Sequence, residues 1–477
     1  MTSSITNLTR ASGANPYKTS VAKFGGSSVG DARCIQRVFG IVNNAPGVRL
    51  VVLSASGDTT DWLVELYDAA QAGAAAKAAR AYERLYDHHT KVAQDLSLSV
   101  ADFAELNDRL AELLSVSSQI RKRTPDPALR DRLLGYGEAL SCFLFSRFAK
   151  AQGRDARWVD ARTVLRTDAQ FGHASPDRDA IKVRVAQELG PLIADGVLPI
   201  VQGFVGATGD GTPTTLGRGG SDFSAALFAE ALGVEELHIW TDVPGVYTTD
   251  PREVDSVLPI PHLSYAEAEA LAAAGGKVIH PHTVFPARAV GIPIWVGSSL
   301  VPGAPGTWIT ADGPLTDNGV RALASQIYPV LWSGELSGNC ASEAREKLLQ
   351  RLREKGGVVL YLSERRALVA FEERLSFARD ESRWLRACGD WREYQQVRAV
   401  SLIGHGLDSN AELGQRLAHF AANYTVLANF HEPAALAWRL FVQEDQGLAL
   451  LRHLHRSLLE EAPALSVDHE ERRACNA

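Results

Sequence analysis

The chain has 477 residues and a mass of 51.5 kDa, more than one ordinary domain of roughly 100–200 residues holds, so two to four domains are expected. Hydrophobic residues at 45% and charged residues at 22% exclude a disordered, collagen-like or fibrous chain. The 49 Lys and Arg against 56 Asp and Glu leave a formal charge of −7, which argues against a protein built to neutralise nucleic acid or anionic lipid.

Residues 1–18 read as a polar, flexible arm without the apolar core of a secretory leader. From Ser20 the chain alternates between short apolar strands and helices: VAKF, a helix through Ile35 to Val42, then RLVVLSAS. That order predicts an α/β domain with a largely parallel sheet. Residues 61–120 read as helical, and a further helix is expected from Leu133 to Lys150. Strands resume in ARWVDAR, LPIVQGFVGA, LHIWTD and IPIWVGS, and the sheet is expected to end near Trp308.

Beyond about Thr316 two similar halves follow, each reading strand, helix, two strands, helix. The first contains IYPVLWSG, ASEAREKLLQRLREKGG, VVLYLSERRALVAFEE and a charged helix through Trp384 to Trp391. The second contains VRAVSLIG, NAELGQRLAHFAANY, TVLANF, LAWRLFVQ and GLALLRHLHRSLLEE. The halves span 316–395 and 396–465, and 466–477 form a flexible tail. Cys34, Cys142, Cys340, Cys388 and Cys475 are an odd, scattered set without a CxxC spacing. Neither a disulfide framework nor a thiolate zinc site is expected, and a reducing cytoplasm fits.

Several stretches carry residues suited to chemistry. VAKFGGSSVGD puts Lys23 at a strand end, a Gly25-Gly26 turn, and Ser27 and Ser28 at the start of a helix, a pattern that makes an anion site or simply a tight turn. No GxxxxGK[ST] loop occurs. TTLGRGGSD sets Arg218 among Gly217, Gly219 and Gly220, with Ser221 and Asp222 opening a helix. Caps rarely need three glycines and an arginine, whereas close approach to an anionic ligand does, and the guanidinium fork suits a carboxylate. IWTDVPGVYTTDPR carries Thr241, Asp242, Tyr247, Asp250 and Arg252 around a strand end, where open α/β sheets bind ligands. Lys277 follows a helix in AGGKVIHPHT, whose His280 and His282 lack a third metal partner. Glu138 opens a helix, where the dipole favours a carboxylate anyway. Ser54, Ser56, Thr59 and Thr60 follow a strand, where capping is the default role.

Taken in order, KFGGSSV, LSASGDTTDWL, GEALS, QGFVGA, TTLGRGGSD, WTDVPGVYTTDPR and GGKVIHP resemble the aspartokinase family of the amino-acid kinase fold, over about residues 20–312. The resemblance implies a kinase domain at 19–315 followed by two α+β ACT-like domains, the first degenerate. It implies phosphorylation of the β-carboxylate of L-aspartate by MgATP, giving 4-phospho-L-aspartate, with ATP and Mg²⁺ as cofactors. By the same resemblance Lys23 neutralises the transferring phosphoryl group and Asp222 organises the reaction centre. Arg218 holds a substrate carboxylate within Gly219, Gly220 and Ser221, Glu138 receives the ammonium, and Ser54 and Thr60 belong to the substrate loop. Gly25, Gly26, Ser27, Thr241, Asp242, Tyr247, Arg252 and Lys277 match the nucleotide pocket. Association of subunits and amino-acid effector binding fall to the ACT-like pair.

The sequence departs from the family pattern at three places. Ser27 stands where Thr is usual, and Asp61 where Asn is common, adding negative charge near a dianionic substrate. The Gly-Phe-Leu helix and Thr-Ser-Glu turn of relatives regulated by lysine or threonine are not recognisable between Ser325 and Leu375. Weak or absent feedback is therefore expected. The competing readings are a same-fold kinase for another acidic amino acid, and a catalytically weak, amino-acid-sensing regulatory subunit. A fused homoserine dehydrogenase is not expected at this length.

Overall fold

The computed structural model describes residues 18–461 apart from 121, 123, 277, 278, 280, 312, 314–318, 337–341, 355, 373–387 and 433–435. The expected tail, and the expected arm except for Lys18, lie outside the described residues. The described residues fall into two compact units, drawn from Met1–Val246, Pro259–Glu269 and Val278–Leu315 in one case and from Tyr247–Leu258, Ala270–Lys277 and Thr316–Ala477 in the other.

The first unit is built on eight strands: β1 (Ser20–Phe24), β2 (Val48–Leu53), β3 (Ala156–Val159), β4 (Leu198–Gln202), β5 (Glu236–Thr241), β6 (His262–Ser264), β7 (Ile294–Ser298) and β8 (Thr307–Thr310). They pair in the order β6-β8-β7-β5-β1-β2-β4-β3. All neighbours are parallel except β7 with β8. The central strands β1 and β4 are buried at every position, as short runs of branched apolar residues covered on both faces should be. Phe24, Leu53, Phe143 and Phe145 belong to one buried core, where each such side chain contributes about 1.5–3 kcal/mol.

The helical stretches are more divided than the sequence suggests. Ser27 and Ser28 lie in a 3-10 turn, Gly26–Val29, and the first long helix, α1 (Ala32–Asn43), starts after Asp31, which caps it by accepting from the Cys34 N–H at 2.7 Å. The expected helical run 61–120 is three helices, α2 (Thr59–Ala72), α3 (Ala75–Asp95) and α4 (Val100–Ser117). Gly73 ends the first with φ +72°, and Ser99 caps the third. The stretch around Leu133–Lys150 splits at Gly135 into α5 (Pro127–Leu134) and α6 (Tyr136–Ala151). Helix α7 (Gly220–Leu232) packs against β1.

The second unit is one antiparallel sheet. Its strands are β9 (Gly319–Leu336), β10 (Val358–Leu362), β11 (Arg366–Phe371), β12 (Gly389–His405), β13 (Val426–Glu432) and β14 (Ala437–Gln443), in the order β10-β11-β9-β12-β14-β13. The two long strands β9 and β12, one from each sequence half, pair from Gly319↔His405 to Leu336↔Gly389. Leu348 and Leu352 of α8 (Ser342–Glu354) join Val330 and Trp332 in one buried cluster. Leu413 and Leu417 of α9 (Ala411–Ala421) and Leu450 and Leu454 of α10 (Glu444–His455) join Val400 and Leu402 in another. The charged helix expected through Trp384 to Trp391 is corrected at its end: Trp384 lies outside the described residues, but Trp391 is in β12, paired with Gly334. Exposure alternates along Gly389–Glu393, where β12 pairs with β9 alone, as it does along a strand and not along a helix turn.

Candidate active site

The C-terminal ends of β1, β2 and β4 and the N-terminus of α7 surround a cavity of about 340 Å³ in the first unit. Lys23 is the next-to-last residue of β1, held in register between Val52 and Ile239 and only 8% exposed. Its Nζ lies 2.5 Å from Oδ1 of Asp222, in the first turn of α7. That helix starts at Gly219 in a left-handed backbone, φ +73°, which a residue with a Cβ adopts only under strain. Gly26 comes so close to the loop after β2 that a Cβ there would sit 2.8 Å from the Ala55 carbonyl oxygen.

Glu138, in the first turn of α6, is buried, and its Oε1 accepts from the Ala55 N–H at 3.2 Å. Oε2 has no hydrogen-bond partner among the described residues. Burial pushes its pKa up to about 8, against the opposing effects of backbone hydrogen bonds and of Lys23. Arg218 is exposed and forms no ion pair among the described residues. The cavity thus carries an unpaired guanidinium, a carboxyl group short of one partner, and a cation already balanced by a carboxylate.

Of the residues singled out in the sequence, Lys23, Gly26, Ser54, Thr60, Glu138, Arg218, Gly219, Gly220, Ser221 and Asp222 line this one cavity. Ser27 is exposed and does not line it, and the Gly25 N–H is spent on the Trp240 carbonyl at 3.0 Å. Asp61 is exposed in the first turn of α2 and lies outside the lining. Thr241 ends β5 beside β1, its hydroxyl donating to Asp242 Oδ1. Tyr247 and Arg252 belong to the second unit, where Arg252 clamps Asp250 through Nε at 2.9 Å and Nη2 at 2.6 Å. Lys277 and His280 lie outside the described residues.

The lining also contains Gly217 of the same glycine-rich stretch, and Ala55, Gly57 and Phe204, which residue chemistry alone does not pick out. Phe204 has φ +67°, breaks the run LPIVQGFVGA between β4 and Val205–Ala207, and sits where a Cβ on Gly220 would meet its ring at 2.8 Å. Nothing in an apolar run announces a left-handed phenylalanine; the signal available was the Gly203 before it.

Residues 18–298 match the amino acid kinase family. The aspartokinase of Chlamydia trachomatis serovar D is 31% identical over 462 residues, covering 92% of this chain and 98% of that protein. The chain belongs to the amino acid kinase family, among its aspartokinases. It is an enzyme of the kinase class. The lysine-sensitive aspartokinase 3 of Escherichia coli (strain K12) is 41% identical over 314 residues, 64% of this chain and 66% of that one. Crystal structures agree along nearly the whole length. Aspartokinase III of E. coli with aspartate and ADP, in its R-state, superposes with a TM-score of 0.83 at 31% identity, covering 93% of this chain and 100% of that chain. The same enzyme with lysine and aspartate, in its T-state, gives 0.73 over 92% and 99%. Among the described residues no helix is long and apolar enough to cross a membrane.

Proposed function

We propose that this chain transfers the γ-phosphoryl group of ATP to the β-carboxylate of L-aspartate, forming 4-phospho-L-aspartate and ADP. The observation that carries this reading is the division of charge around one cavity: the Lys23–Asp222 pair at one end, and Arg218 with the half-satisfied Glu138 lining the same space. An α-amino dicarboxylate complements that set. Arg218 takes one carboxylate as a planar fork, Glu138 takes the ammonium, and the other carboxylate is left to attack.

Phosphoryl transfer asks a protein for alignment and for positive charge at the equatorial oxygens. Lys23 supplies that charge next to the Gly26 turn, and Asp222 holds its ammonium in place. Ser54 and Thr60 offer hydroxyls to the amino acid from the loop after β2. Thr241 and Asp242, with Tyr247, Arg252 and Lys277, are assigned to the nucleotide. Asp222 would be the carboxylate in this lining to hold the Mg²⁺ that accompanies the nucleotide phosphates, and the ion would supply further charge neutralisation on the transferred group.

Cytoplasmic location, self-association through the second unit and weak feedback by lysine or threonine complete the reading. A regulatory subunit freed of chemistry has no reason to keep both the phosphate end and the carboxylate end of the cavity. The deciding experiment is hydroxylamine trapping of the acyl phosphate with MgATP and aspartate, with glutamate and N-acetylglutamate in parallel. Signal with aspartate alone that is lost in Lys23→Ala supports the reading, and silence from folded protein with all three acids refutes it.

A further inference from the structure

Two backbone segments bound the cavity side by side: the Gly26–Val29 turn after β1 and residues 54–60 after β2. They touch through their backbones, the Gly57 N–H donating to the Gly26 carbonyl at 3.1 Å. The fully buried Ser56 lies across the seam. Its hydroxyl donates to the Val29 carbonyl at 2.8 Å, and its own carbonyl accepts from the Thr59 N–H at 3.1 Å and the Thr59 hydroxyl at 2.5 Å.

A hydroxyl has one proton, and Ser56 spends it on Val29. The contact of 2.8 Å between Ser56 Oγ and Nε2 of His88 is then a bond that the imidazole donates, which fixes the Nε2–H tautomer. His88 sits on α3, its ring edge-on to Trp62 of α2 at 5.3 Å between centroids. Burial lowers its pKa, and this outweighs Asp58 and Asp31, so the ring is neutral at physiological pH. His88 does not line the cavity, so whatever it does there it does through Ser56.

We propose that His88 is a positioning residue for phosphoryl transfer, a clasp that sets the spacing between the phosphate-side turn and the acceptor-side loop by holding Ser56. This rests on the reading that Lys23 and Gly26 face the phosphate while Ser54 and Thr60 face the amino acid. An in-line reaction tolerates little change in the distance between donor and acceptor, and a displacement of about 1 Å lowers the rate on the order of a hundredfold. Without the imidazole, Ser56 keeps its bond to Val29 but loses the group that fixes its rotamer, and α3 no longer restrains the seam.

The test compares His88→Ala with His88→Gln in the full chain, Gln placing an amide N–H where Nε2 stood. For Ala the expectation is kcat lower by about 10- to 100-fold with the ATP KM changed less than about threefold. Amide exchange should quicken in residues 24–31 and 53–62, with the melting temperature held, and Gln should recover most of kcat and of the protection. Ala with kcat within about twofold of the parent and unchanged exchange overturns the clasp, as do Ala and Gln variants impaired alike, which would mean packing alone. If the unmodified chain phosphorylates no aspartate, the functional reading falls, and the exchange comparison still decides whether His88 holds the seam.

Discussion

Lys23 and Asp222 meet at 2.5 Å in a setting where their side chains are 10% and 15% exposed. A strand end and a helix start from distant parts of the chain are thereby pinned together, and each charge is the solvation shell of the other. Removing one partner of such a pair leaves the other uncompensated. Lys23→Met and Asp222→Asn should each lower kcat by about 10²–10³-fold and destabilise the first unit by about 1–3 kcal/mol. The double variant should lose less stability than the sum of the two. Denaturant midpoints of the three variants measure this cycle, and simple additivity would mean that the pair has no coupling.

Glu138 predicts a pH dependence with a definite sign. Its folded pKa of about 8 lies above the ordinary 4.5, so the folded protein holds this proton more tightly than the unfolded chain. The stability this gives is complete below about pH 4.5 and is lost as pH climbs to about 8. An ammonium ligand needs the carboxylate, so aspartate affinity should weaken by up to about tenfold per pH unit below 8 and level off above it. Glu138→Gln should raise the aspartate KM at least about a hundredfold and flatten the profile. A KM in the parent that is constant from about pH 6 to about pH 9 would contradict the role given to Glu138.

Gly26→Ala tests the close approach of the two segments. The added Cβ meets the Ala55 carbonyl at 2.8 Å, and a backbone oxygen cannot swing away as a side chain would. A loss of about 1–3 kcal/mol is expected, together with a larger fall in kcat than in nucleotide affinity. Gly153→Ala, with nothing within 4 Å but φ +82°, should cost stability without touching kinetics.

In the second unit, Arg398 donates through Nη1 to Glu253 Oε1 at 2.6 Å and to the Ser325 hydroxyl at 2.9 Å, while Arg452 Nε reaches the Glu253 carbonyl at 2.8 Å. Glu253 shares its segment with Tyr247 and Arg252, the residues proposed to contact nucleotide. Glu253→Gln should quicken amide exchange in residues 247–258 and raise the ATP KM by about three- to tenfold, leaving the aspartate KM unchanged. A change confined to the aspartate KM would count against the assignment.

Lysine or threonine added up to about 10 mM should reduce the rate by less than about twofold. A saturable inhibition curve with either amino acid, with a midpoint well below that range, would refute weak feedback.

The order of the motifs made the kinase-like half legible, because a lysine at a strand end, a glycine-rich helix start and a helix-opening glutamate each have local causes that survive in one dimension. Helix ends were less so. The breaks at Gly73 and Gly135 and the start of α1 after Asp31 depend on which of several capping residues the packing selects. Trp391 went into a strand because β9 offered it a partner at Gly334, a pairing invisible from either sequence half alone.

What the sequence by itself determined is the inventory and its order: alternating strands and helices in the first unit, a strand-rich region after it, and the residue types at each strand end. These follow from side-chain periodicity and turn chemistry, which are local. Tertiary structure decided which groups meet. Only the packing of α7 against β1 puts Lys23 beside Asp222, and only the burial of α6 turns Glu138 from a helix-start carboxylate into a group with a pKa of about 8 and an unpartnered oxygen. Likewise Phe204 took a left-handed backbone and His88 found Ser56 because the chain had to close around a cavity. Solvent exclusion and long-range contact set those energies, and neither is written in neighbouring residues.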